Sequence, residues 1–313
     1  MHEHEALLNR IPLLSGSTKL ERIDKGYSSD DKYMVYDGQG GRQYILRTYG
    51  IDQDEGKRVE FERLQMMEQH DVKCSKPIAI GVLPEQALGY MIVSYIEGDE
   101  ASEALPYLTE QQQYSIGVQA GIELQKMHLV PCHDEEMRPW EERAAAKHQR
   151  YRNEYAACGI AINNDAKLLA FIDAHLPIMK GRPNLFQHDD YHLANMIVKD
   201  GMLSGIIDFN RADWGDPIHE FVKVGIFSSE VSVPFSIGQI SAYNDQLEPS
   251  EEFWQLYSLY LAMTLISSVV WTLKVCPDQL SEMMQKIDKV MNDHDDFESI
   301  VPRWYKQYEN ASR

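Results

Sequence analysis

Cysteine is scarce in this chain, and Cys74, Cys132, Cys158 and Cys276 are scattered with no C-x-x-C pair among them. That pattern argues against a disulfide framework or a cysteine zinc site and suits free thiols in a reducing compartment. Positive charge is also short: 30 Lys and Arg stand against 49 Asp and Glu, a formal net charge of −19. Nucleic acids and anionic membranes are therefore poor partners, because both need a basic face; a cationic partner is easier to reconcile. The opening MHEHEALLNR has neither the basic start nor the apolar core of a secretory leader, so a cytoplasmic location is the expectation. His2 and His4 read as a solvated pair rather than a metal site. The chain has no G-x-G-x-x-G, no internal repeat and no low-complexity segment. Its one long uncharged run, Phe253 to Leu273, has the length of a bilayer span. Gln255, Ser258, Thr264, Ser267, Ser268 and Thr272 interrupt it, and a buried core helix is the expectation.

What is present is concentrated in QHDDYHLANMIVKDGMLSGIIDFN, residues 187 to 210. Asp200-Gly201 is a strong two-residue hairpin signal, since a type I′ turn needs positive φ at both central positions. Folding back at that turn returns Asn195 close to Ile206, with Asp208 just beyond the open end. Two oxygen ligands then stand on adjacent strands, about 5 Å apart. Hard cations such as Mg²⁺ take such ligands together with substrate phosphates. His188 and Asp190 lie on the loop entering the hairpin.

His188, Asp190, Asn195, Asp208 and Phe209 fall in the register of the kinase catalytic loop, H-R-D-x-x-x-x-N followed by D-F-G. With the downstream DWGDPIHEF, the chain resembles the aminoglycoside phosphotransferase and choline kinase branch of the kinase fold, whose members carry HGDxxxxN followed by IDF and GDP. Asp189 stands where that family usually has Gly, and Asn210 stands where kinases have Gly. Asn is one of the few other residues that tolerate left-handed geometry. The resemblance implies an α+β, bilobal protein-kinase-like fold. Residues 1–97 would form a small β-rich nucleotide-binding lobe, and 98–313 a larger, mainly helical lobe for catalysis and acceptor binding. At 313 residues and 43% hydrophobic content, both lobes can bury a core.

In the first lobe, Lys32 to Tyr36 and Gln43 to Arg47 are short strand candidates joined by DGQGG. Lys25 to Ser29 lies where kinases cover the phosphates; Ser28 and Ser29 would serve there, or form an ordinary polar turn. Arg47 stands where the kinase β3 lysine would sit, and its guanidinium can still pair with phosphate. Its partner is expected from the helix EGKRVEFERLQMMEQH, whose apolar stripe is Val59, Leu64, Met66 and Met67; Glu60 aligns best, with Glu62 the alternative. The strand ending at Ser94, Tyr95 and Ile96 resembles the kinase hinge, whose backbone would meet the purine edge.

Beyond residue 98 the pattern is mostly helical. Gln112 to His128 carries Ile116, Val118, Ile122, Leu124 and Met127 at helical spacing, and His128 reads as a packed structural histidine. Residues 134–175 look like an inserted helical arm beside the acceptor site. Asp213, Asp216, Glu220 and Glu230 would either face a cationic acceptor or serve structure, Glu220 by bracing the catalytic loop.

The expected activity is transfer of the γ-phosphoryl of ATP or GTP to a hydroxyl. In that scheme Asp190 orients and deprotonates the acceptor, Asn195 and Asp208 hold Mg²⁺, His188 supports the loop and Arg47 steadies the phosphates. The acceptor expected first is an aminoglycoside; macrolides, choline-like amines, amino-sugar metabolites and sugars stay open. A catalytically weak nucleotide-binding regulator on the same fold is the alternative, since fold does not guarantee chemistry. A membrane-associated helical protein is a third reading, resting on residues 253–273 alone.

Overall fold

The computed structural model describes residues 7–24 and 30–312 of the chain. Ser28 and Ser29 lie outside the described residues. The chain divides into two compact units, one of Met1–Gly98 with Ser204–Asn210 and one of Asp99–Leu203 with Arg211–Arg313.

The first unit is built on a five-stranded sheet of order β1-β2-β3-β5-β4: β1 Lys19–Ile23, β2 Asp31–Tyr36, β3 Arg42–Gly50, β4 Pro77–Leu83 and β5 Leu88–Ser94. Every neighbouring pair is antiparallel: β2–β3 and β4–β5 are joined by short connections, while β3 and β5 pair across the intervening helix and β4. Between β2 and β3 the Asp37 carboxylate accepts hydrogen bonds from the Gln39 and Gly41 N–H groups, both at 2.8 Å; an Asx turn of this kind needs a short polar side chain at its start. Leu7, Ile11 and Leu14 join Leu20, Tyr33, Val35, Leu46 and Ile92 in one apolar core.

The helix Asp54–Gln69 buries Glu60, Leu64 and Met67. Val59 is 41% exposed and Met66 only half-buried, so the apolar stripe expected from the sequence is narrower than drawn. A buried carboxylate, Glu60, takes the place of a hydrophobic residue on that face.

Ser204–Asn210 is tied to the first unit by backbone bonds from Ser75 N–H to the Ile206 carbonyl at 3.1 Å and from Ile206 N–H to the Lys73 carbonyl at 2.9 Å. These bonds seat the segment carrying Asp208 on that unit.

The second unit is mainly helical. Its longest helix, Glu251–Val275, starts at Ser250, whose side chain accepts the Phe253 N–H. By length and composition it could cross a membrane, but 67% of its apolar stretch is buried inside the protein. It packs against Trp140–Ala157, Asp165–His175 and Leu280–Asp293, which places the expected helical arm of residues 134–175 against the core helix.

Glu110–Met127 opens with a reciprocal capping box between Thr109 and Gln112 and packs on Val233–Tyr243. Gly117 makes that crossing close: a methyl group there would meet the Phe235 carbonyl oxygen at 2.0 Å. His128, at the helix end, is buried, bonds Tyr243 Oη at 2.7 Å, and is pushed down to about 3 by burial. It is the packed histidine expected.

Small strands frame the catalytic loop. β6 Asp99–Glu100, β8 Met196–Lys199 and β9 Met202–Ile206 form one sheet of order β6-β8-β9, and β7 Leu185–Gln187 pairs with β10 Asp213–Gly215. Asp200 and Gly201, between β8 and β9, have φ of 52° and 74°, the left-handed pair that a type I′ turn requires.

Candidate active site

The catalytic loop of the second unit is held by its own backbone and side chains. His188 is fully buried, and its Nδ1 accepts the Asp190 N–H at 3.3 Å. Asp189 has φ of 59°, which explains a glycine at this place in relatives of the motif; Asp is one of the few side chains that can substitute. The Asp189 N–H donates to Glu220 Oε1 at 2.7 Å. This is the brace expected of Glu220, which is 1% exposed.

Asp190 and Asn195 are interlocked. Asn195 Nδ2 donates to the Asp190 carbonyl at 2.9 Å and to its Oδ2 at 3.2 Å. The other carboxylate oxygen of Asp190 accepts from Lys223 Nζ at 2.8 Å, and His192 Nε2 lies 3.5 Å from it. Burial by itself would raise the Asp190 carboxyl. The His192 hydrogen bond and the Lys223 charge outweigh it and hold the group well below the ordinary carboxylate range. Asp190 is therefore an ionised, oriented acceptor of hydrogen bonds.

The motif spacing located Asp190 and Asn195 but not Lys223 or His192. His192 sits in the loop, its Nδ1 accepting the Ala194 N–H, and HDDYH contained a clue in a second histidine. Lys223 had no sequence signal, since it enters from the segment after the GDP turn.

Around the loop, Glu220 Oε2 is buried with no hydrogen-bond partner among the described residues, and burial pushes the carboxyl up to about 8. His219 Nδ1 lies 3.5 Å from the Asp189 carboxylate; its ring is wedged edge-on against Trp140 and Tyr260, and burial lowers it to about 4. Asp216 of the GDP turn is wholly buried, bonded by Arg182 at 2.6 and 3.0 Å and by Tyr260 Oη at 2.8 Å, and it caps the following turn through the Ile218 N–H. That aspartate is an anchor of the core.

The cationic site of the first unit centres on Arg47, which is 6% exposed. Its Nη1 donates to Glu60 Oε1 at 2.5 Å, the partner expected from the helix. Sequence reasoning missed Asp30, whose Oδ2 accepts from Arg47 Nε at 2.8 Å and Nη2 at 2.5 Å, and Lys57, which donates to the same oxygen at 2.6 Å. Among the described residues, two cations and two carboxylates thus form one largely buried cluster. Glu62, the alternative partner, is exposed.

Of the expected hinge residues, Ser94 N–H bonds the Lys76 carbonyl at 2.9 Å and Tyr95 N–H bonds the Gln43 carbonyl at 3.1 Å. Those two donors are committed to the sheet edge. Ile96 N–H has no partner among the described residues.

Asp208 lies at φ 68°, with its Oδ1 buried and without a hydrogen-bond partner among the described residues. The left-handed residue of this stretch is thus Asp208; Asn210, read as the substitute for a left-handed glycine, has no positive φ. A buried, unpaired carboxylate oxygen fits a hard-cation ligand. So does Asn195, whose Nδ2 is committed to Asp190 and whose amide oxygen is left for another partner. Among the described residues no cluster of three or more His, Cys, Asp or Glu could hold a metal.

A family model described as the phosphotransferase enzyme family matches residues 19–256. No curated protein matches the sequence. Solved structures with similar folds include a GDP complex of a mutant aminoglycoside 2′-phosphotransferase-IIIa, with TM-score 0.69 and 13% identity over 96% of this chain and 99% of that one. A thermostable mutant of aminoglycoside phosphotransferase APH(4)-Ia bound to ADP and hygromycin B gives 0.66 and 14%, over 93% and 98%. The gentamicin complex of APH(2″)-IIa gives 0.62 and 15%, over 91% and 94%. The fold is therefore the protein-kinase-like one of aminoglycoside phosphotransferases.

Proposed function

The chain belongs to the phosphotransferase enzyme family, and we propose that it is a small-molecule kinase transferring the γ-phosphoryl of ATP or GTP to a hydroxyl. The observation that carries this reading is the Asp190–Asn195 interlock, which presents an ionised carboxylate in fixed orientation from a braced loop. Transfer through a loose transition state needs positioning and charge stabilisation more than covalent chemistry. Asp190 orients the acceptor hydroxyl and takes its proton. His188 and Glu220 hold the loop from behind. Asn195 and Asp208 are the ligands for Mg²⁺, which when bound neutralises charge on the phosphates. Arg47 steadies the phosphates, Glu60 aligns it, and the backbone at Ile96 receives the purine edge. Ser28 and Ser29 are proposed to cover the phosphates, and Ser94 and Tyr95 to shape the hinge. A cytoplasmic location accompanies this reading.

The fold neighbours bind aminoglycosides by their own descriptions, so aminoglycosides open the acceptor panel, followed by macrolides, amino alcohols and sugars. A catalytically weak nucleotide-binding role is the second reading, favoured by Asp30, whose carboxylate already occupies the Arg47 fork.

The test is Mg²⁺-dependent consumption of ATP and of GTP across that panel, with Asp190→Asn and Asp208→Ala beside the wild type. Acceptor-stimulated turnover should fall about 10²–10⁴-fold in Asp190→Asn, the range for loss of general base catalysis, and Asp208→Ala should lose its response to Mg²⁺. Turnover unchanged in Asp190→Asn would remove the mechanism; nucleotide binding without turnover on any acceptor would favour the second reading.

A further inference from the structure

We propose that Lys223 sets the charge preference of the acceptor: the enzyme takes a hydroxyl on an uncharged or acidic polyol and disfavours an ammonium beside the reacting group. The inference rests on the kinase reading, and on Asp190 as the residue that meets the acceptor.

Lys223 is no loose surface lysine. Its side chain is 15% exposed, its Nζ lies 5.6 Å from the centroid of the Phe227 ring, and it donates to Asp190 Oδ1 at 2.8 Å. The carboxylate that receives the acceptor hydroxyl therefore carries its own fixed cation. His192 stands 3.5 Å from the same oxygen, and the charge of Lys147, on the Trp140–Ala157 helix, reaches His219 beside Asp189.

Four acidic residues that the sequence offered to a cationic acceptor are committed elsewhere, while the Asp189 carboxylate, 3.5 Å from His219 Nδ1, stays beside the loop. Asp213 pairs with Arg143 at 3.2 Å, and Glu230 pairs with Lys286 at 2.5 Å. Asp216 is buried against Arg182, and Glu220 is buried against the Asp189 N–H. Burial also favours the neutral form of Glu220. The net charge of −19 thus says little about the few ångströms around Asp190.

A polycation brought to Asp190 would place an ammonium against Lys223, and like charges so placed are strongly unfavourable in a partly dry site. A sugar-like polyol meets Lys223 with hydroxyl oxygens as acceptors, and an acidic polyol meets it with an opposite charge.

The test compares glucose, glucuronate and glucosamine, one skeleton with three charges, and kanamycin as a polycation, at a pH where the amines are protonated. Wild type, Lys223→Arg, Lys223→Gln and Lys223→Glu are assayed for kcat/KM, with thermal midpoints to control for folding. The wild type should favour an uncharged or acidic acceptor over its amine counterpart. Lys223→Glu should swing that ratio toward the amines by about tenfold or more, Lys223→Gln by less, and Lys223→Arg should keep the wild-type order. If glucuronate exceeds glucose in the wild type, the acceptor is acidic; if the two are equal, it is neutral. Kanamycin as the best wild-type acceptor, with turnover still dependent on Asp190, would overturn the charge inference and leave the kinase reading intact. A cationic-to-neutral ratio unmoved by Lys223→Glu would overturn it as well. Nucleotide consumption equal in wild type and Asp190→Asn would bring down the kinase reading, and the charge inference with it.

Discussion

Glu220→Gln should make the protein more stable at neutral pH, and the gain should grow with pH. Glu220 is 1% exposed; one carboxyl oxygen accepts the Asp189 N–H at 2.7 Å and the other has no partner among the described residues. Burial pushes the carboxyl up to about 8, the Asp189 charge adds to the rise, and the Asp189 N–H and Lys223 only partly oppose it. An unfolded glutamate titrates near its ordinary value of 4.5. Between those two values the folded chain keeps a proton that the unfolded chain has lost, so folding stability falls as pH rises through that window. The contribution is fully present below about pH 4.5 and is lost by about pH 8. Each pH unit inside the window is worth about 1.36 kcal/mol, so the loss at pH 7 is on the order of 3 kcal/mol.

Gln has the shape of the protonated acid, still accepts the Asp189 N–H and does not titrate. The assay is urea unfolding of both proteins at pH 5, 6, 7 and 8. The curves should nearly coincide at pH 5 and separate steadily in favour of Glu220→Gln up to pH 8. Buried His128, His219 and His294, lowered to about 3, 4 and 4, act with the opposite sign: their stability is present above about pH 6.5 and is lost on acidification. Both proteins share them, so they cancel in the difference. A difference that does not grow between pH 5 and pH 8 would refute the argument, because it would mean that Glu220 is already ionised in the folded protein.

Two further substitutions probe the frame. Arg47→Met leaves the buried Asp30 and Glu60 carboxylates with Lys57 as their remaining cation among the described residues, and it should destabilise by about 3–5 kcal/mol, as breaking buried ion pairs does. Arg47→Lys keeps the charge but loses the planar fork; it should retain the fold while weakening nucleotide binding about tenfold. Calorimetric midpoints and nucleotide titration check both, and equal nucleotide affinity in Arg47→Lys would dissociate the fork from phosphate binding. Gly117→Ala drives a methyl group into the Phe235 carbonyl, 2.0 Å away. Overpacking of about 1–3 kcal/mol should exceed the helix-propensity gain of about 1 kcal/mol. A urea midpoint equal to that of wild type would mean that the two helices part without penalty.

The legible parts of this protein were those encoded over a few residues. Asp200-Gly201 announces its turn because positive φ is cheap for few side chains, and both angles are positive in the fold. His188, Asp190 and Asn195 were found by spacing within one loop, and their mutual bonds span only a few positions. The interruptions between Phe253 and Leu273 marked a core helix, and that helix is largely buried. Glu60 was reached through the family resemblance, with Glu62 as the alternative, and it is Glu60 that bonds Arg47.

Spacing could not show which charges meet across long stretches of chain. Nothing near Lys223 in the sequence points to Asp190, and nothing near Asp30 points to Arg47; these pairs exist because packing carries separate elements to one place. Nor does composition reveal that Asp213, Asp216 and Glu230 are paired while Glu220 is buried to neutrality. Backbone conformation was also not legible: Asn210, read as tolerating a left-handed turn, has no positive φ, while Asp208 two residues earlier does. The sequence by itself determined the Asp200-Gly201 turn and the spacing of His188, Asp190 and Asn195, because these depend on near neighbours along the chain. Tertiary structure alone decided burial and long-range charge pairing, because both depend on residues far apart along the chain.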